Sequence, residues 1–128
     1  MSINVSCFYI DKGSEVITYL TYLENAKQHL KMAEERKEGW MDAWRLEVRK
    51  ESNICHVDFA CSMLNSALQI FEGVKSPLQE CLSFHFDEDT VEEFIIVKVD
   101  SHIKKSLELL AFMGSVRSIC YTNNSDKG

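Results

Sequence analysis

The chain is poor in the residues that punctuate or cross-link a fold. It has one proline and five glycines in 128 residues. That scarcity excludes a turn-rich β-sandwich and a disordered, low-complexity chain. No apolar run approaches the roughly 18 residues of a membrane span. The N-terminal MSINVSCFYIDKG has neither the basic nor the apolar region of a secretory signal. There is no glycine-rich phosphate loop, no G-x-S-x-G, no H-E-x-x-H and no E-x-x-H. Basic residues are also short: 14 Lys and Arg against 20 Asp and Glu, a net charge of −6. A nucleic-acid binder that works through its whole surface is thereby disfavoured.

What is present points to one soluble, cytoplasmic domain spanning residues 1–128. A chain of this length buries about two-thirds of its surface and needs no disulfide or metal to fold. The five cysteines, Cys7, Cys55, Cys61, Cys81 and Cys120, are odd in number and irregular in spacing. They read as reduced thiols acting as small hydrophobes.

The pattern of apolar residues predicts an all-α bundle of about four helices with short connections. Val16, Ile17, Leu20, Leu23, Ala26, Leu30 and Ala33 recur every three to four residues, a helix from Ser14 to about Lys37 that Gly39 would interrupt. A second helix is expected to begin near Trp40. Ile54, Val57, Cys61, Leu64, Leu68 and Phe71 continue a seam towards Gly73. Ser76-Pro77-Leu78-Gln79 reads as a fresh N-terminus for a short helix ending between Leu82 and His85. Asp89 to Glu92 reads as a capping box for a helix from Thr90 to about Met113. The glycines fall where these elements would end. Residues 122–128, TNNSDKG, would form a mobile tail. The runner-up is an α+β fold, with residues 3–10 and 82–99 forming a small sheet and the acidic DEDT as its turn.

The stretch ICHVDFAC, residues 54–61, carries two cysteines, a histidine and an aspartate. On a helix, at about 100° per residue, Cys55, Asp58 and Cys61 share one side while His56 turns about 160° away from Asp58. Four such side chains cannot converge on one ion, so no metal site and no cofactor are expected. Arg49 and His56 are seven residues apart and would share a helix face. This spacing resembles the R-x₄₋₆-H motif of HEPN ribonucleases, which are helical domains that work as dimers. The resemblance covers eight residues and implies a metal-independent ribonuclease, with Arg49 holding a phosphate and His56 moving a proton.

Two further features suit binding. Trp40 and Trp44 lie one helical turn apart, and tryptophan is favoured at interface hot spots. The run Asp87, Glu88, Asp89, Glu92 and Glu93 puts five carboxylates in seven positions. Residues 76–100 hold seven acids and one base, so the whole net charge of −6 resides there and the rest of the chain balances at 13 and 13. Helix capping needs two or three acids, not five. These features lead to a non-enzymatic protein-binding module: a small acidic inhibitor or immunity-type protein that occludes a basic surface of a nucleic-acid-handling enzyme. The partner would be a protein, with no direct nucleic-acid or membrane contact. The HEPN-like ribonuclease and a structural module that self-associates, as a homodimer, through its tryptophan face are the alternatives.

Overall fold

A computed structural model describes residues 13–45 and 52–125, and the side chains within 16–42 and 55–119. Almost all of the described residues, 96%, are helical, and there is no strand among them. Helix α1 spans Gly13–Arg45 and α2 spans Ser52–Ser83. A turn over residues 84–87 leads into a third rod, residues 88–125. That rod consists of α3 (Glu88–Ile95), a π-helical segment (Ile96–Asp100) and α4 (Ser101–Ser125). The bundle therefore has three long rods rather than about four helices. None of the described helices is long and apolar enough to cross a membrane.

The rods pack up-down-up, as their shared cores show. One cluster joins Val16, Leu23 and Ala26 of α1 to Phe71, Leu78 and Leu82 of α2 and to Val91, Ile95 and Val99 of the third rod. The other joins Leu30 and Ala33 to Val57, Ala60, Cys61 and Leu64 and to Leu109, Met113 and Val116. The start of α1 thus meets the end of α2 and the start of the third rod. Ala26, Ala33, Ala60 and Ala67 are wholly buried along these seams. Their small side chains let the backbones approach, and Phe71, Leu64 and Leu78 fill the space between.

Several expected breaks are absent because burial overrides local punctuation. Gly39 and Trp40 lie inside α1, so no second helix starts there. Gly73 and Ser76-Pro77 lie inside α2, because Val74, Leu78 and Leu82 carry the buried seam straight past them. Pro77 leaves the carbonyl of Gly73 without its helical donor, on a residue exposed to water. The end of α2 at Ser83 does fall where a helix end was expected. Backbone N–H groups of Phe84, His85 and Phe86 donate to the carbonyls of Cys81 and Leu82 and close this end.

The third rod begins two residues before the expected Thr90. Asp87 is extended at the N-cap, and its carboxylate accepts a hydrogen bond from the Thr90 hydroxyl. Residues 82–99 form helix and turn, not a hairpin, which removes half of the α+β alternative. The other half, residues 3–10, lies outside the described residues. The β-branched run within 82–99, Ile95 to Val99, straddles the end of α3 and the π-helical segment. Val91 and Ile95 of α3 and Val99 of the π-helical segment all face the core, at successive spacings of four. The rod continues past Met113 and Gly114 to Ser125.

Candidate protein-binding surface

The first turns of the third rod put the acidic run on the surface. Val91 and Ile95 face inward at a helical spacing of four, which turns Glu92 and Glu93 outward, while Phe94 packs at the core's edge. Asp87, Glu88, Asp89, Glu92 and Glu93 are all exposed. Directly before them Phe84 is 73% exposed, the most exposed of the large apolar side chains at this end. Phe84 also lines a pocket of about 170 Å³ with Val16, Tyr19, Pro77, Cys81 and His85. One end of the bundle thus combines five exposed carboxylates, an exposed aromatic ring and a small pocket of mixed lining that also includes Glu80. The sequence did not single out Phe84, and the turn after Ser83 sets its exposure.

The tryptophans are elsewhere. Trp40 is half-buried and meets Phe112 edge-on, with ring centroids 6.2 Å apart, while the Lys37 ammonium lies 4.8 Å from the Phe112 ring centre. Val16 marks the acidic end of α1, and Trp40 lies 24 residues further along it. At 1.5 Å per residue the separation is about 36 Å. The structure therefore does not bring the acidic run and Trp40 together. Trp44 lies in α1, with its side chain outside those described.

The ICHVDFAC stretch is helical, and its side chains diverge. Cys55 is exposed, while Cys61 is buried in the second cluster. Burial pushes the Cys61 thiol above its ordinary value of 9.0; Arg117 opposes this and Asp58 adds to it. A thiol held protonated in this way is a poor nucleophile. Asp58 accepts from Nε of Arg117 at 2.8 Å, tying α2 to α4. Among the described residues no group of three or more His, Cys, Asp or Glu could hold a metal ion.

His56 turns towards α1. Nη1 of Arg36 lies 2.9 Å from Nδ1 of His56, and the same guanidinium stacks over Phe59 at 4.6 Å. A guanidinium only donates, so Nδ1 accepts and the imidazole proton resides on Nε2. Arg49, the other half of the ribonuclease pair, lies outside the described residues. The arginine that meets His56 comes from another helix, twenty residues away in sequence, and no sequence motif marks it. Cross-rod pairs Lys75–Asp100 and Lys105–Glu34, each at 2.7 Å, were equally illegible in the sequence.

In comparisons with known proteins, no family model, no curated protein and no solved structure matches the chain.

Proposed function

We propose that the protein is a non-enzymatic binding module whose acidic end occludes a basic surface on another protein, in the manner of a small inhibitor or immunity-type protein acting on a nucleic-acid-handling enzyme. The observation that carries this reading is the exposure of all five carboxylates of residues 87–93 beside the outward ring of Phe84. Like charges held this close repel one another, and a basic partner relieves that repulsion. Enzymes that handle nucleic acid present basic clefts of this kind. An aromatic anchor within a charged rim is the usual anatomy of a tight protein interface.

Affinity capture from native lysate tests this reading. The bait proteins are the wild type and a variant with Asp87, Asp89→Asn and Glu88, Glu92, Glu93→Gln. A basic nucleic-acid-handling protein held by the wild type at low salt and lost by the variant is the expected result. Equal capture of the same proteins by both baits contradicts it.

A further inference from the structure

His102 occupies the junction of all three rods. Its ring stacks on Phe71 of α2, with centroids 5.5 Å apart and planes 14° from parallel. Phe71 is wholly buried, so the stack ties the imidazole to the core. Two residues before His102 the π-helical segment ends at Asp100, which pairs with Lys75, one turn beyond Phe71 on α2. Around the ring, α1 contributes Lys27 and Glu24, which pair with each other at 3.2 Å. The third rod contributes Lys98 and Lys105, the latter paired with Glu34 of α1. Of the charges that act directly on the ring, three are lysines and one is a carboxylate.

We propose that His102 is an acid-sensitive latch between the third rod and the α1–α2 pair: neutral, it packs on Phe71; protonated, it adds a further cation to a junction already crowded with lysines and loosens the rod. Burial is the main force that keeps the imidazole neutral, and Lys27, Lys105 and Lys98 act in the same direction. Glu24 acts against them. Together they hold its pKa below the ordinary 6.5. The unfolded chain therefore binds the proton more readily than the folded one. The stabilisation is complete above the unfolded pKa of 6.5, is lost as pH falls from there to the folded value, and is constant below it. This latch does not depend on the function proposed above.

The test is an NMR titration of the four histidine rings in the full chain, with His102 assigned by His102→Gln, alongside urea unfolding at pH 7.5 and 5.5. His102 is expected to titrate below 6.5. Lys27→Gln should raise its midpoint and Glu24→Gln should lower it. His102→Gln should reduce the stability difference between the two pH values, and the protection factors of amides in residues 96–106, corrected for the intrinsic pH dependence of exchange, should fall at pH 5.5 in the wild type alone. A wild-type His102 midpoint at or above 6.5 overturns the proposal, as does an unchanged pH difference in His102→Gln. Should that variant fail to fold, through-bond spectra assign the His102 ring in the wild type, and unchanged corrected protection of residues 96–106 between pH 7.5 and 5.5 overturns the proposal.

Discussion

Ser106 is the one wholly buried polar side chain among the described residues, and its hydroxyl has no hydrogen-bond partner. An unsatisfied buried hydroxyl costs about 1–3 kcal/mol, and alanine is the better helix former. Ser106→Ala is therefore expected to raise stability, by about 1 kcal/mol, in urea unfolding monitored by circular dichroism. A loss of stability would show that the hydroxyl has a partner. Phe71→Ala removes the largest buried side chain of the first cluster and should cost about 3–5 kcal/mol in the same measurement. The inter-rod ion pairs are a different matter. Asp58 and Arg117 have side chains 37% and 52% exposed, and a pair that wet contributes only about 0.2–1 kcal/mol. His56, Asp58 and Cys61 each have a local explanation in packing or pairing, and Cys55 points to solvent. Purified protein is accordingly expected to carry no stoichiometric zinc or iron, and a chelator should leave its melting temperature unchanged. One bound metal per chain, lost on replacing Cys55 and Cys61, would contradict this.

At the scale of elements, the seams of Val16 to Ala33 and of Val57 to Phe71 were legible because a helix writes its buried face into the sequence every three to four residues. The breaks were misread for a physical reason. Glycine and proline lower local helix propensity by about 1 and 3 kcal/mol, and a continuous buried face outweighs either. Gly39 and Gly73 are helical, and a Cβ added at either would meet nothing within 4 Å. Gly39→Ala and Gly73→Ala should each stabilise the protein by roughly 0.5–1 kcal/mol. A destabilisation at either would mean that the glycine ends an element, as its sequence context suggested. The β-branched run of residues 95–99 supported the runner-up sheet, while the expected helix from Thr90 is the outcome. Its residues favour strands, yet the chain stays helical through them, with Ile95 and Val99 buried and Ile96 and Val97 exposed. Of the candidate surface, the carboxylates were legible from composition alone. Phe84 was not, because a turn sets its exposure; away from that surface, the Arg36–His56 contact was equally illegible because its two partners lie on different helices.

At the scale of the molecule, the three rods place the acidic run and Trp40 about 36 Å apart. An ordinary interface covers roughly 800 Å² on each partner, a patch about 30 Å across. A partner centred on the acidic run does not reach Trp40. Trp40→Ala is thus expected to lower stability through its lost packing on Phe112, while leaving association at the acidic end unchanged. The most direct test of the binding claim is association kinetics with the partner captured by the wild type, measured for wild type and the five-site variant at low and physiological salt. Long-range attraction speeds encounter and is screened over a Debye length of about 8 Å at physiological ionic strength. The wild type should associate faster than the variant at low salt, and the gap should narrow as salt rises. Identical rates for the two proteins at both salts would contradict the account and leave residues 87–93 as the solvated start of a helix.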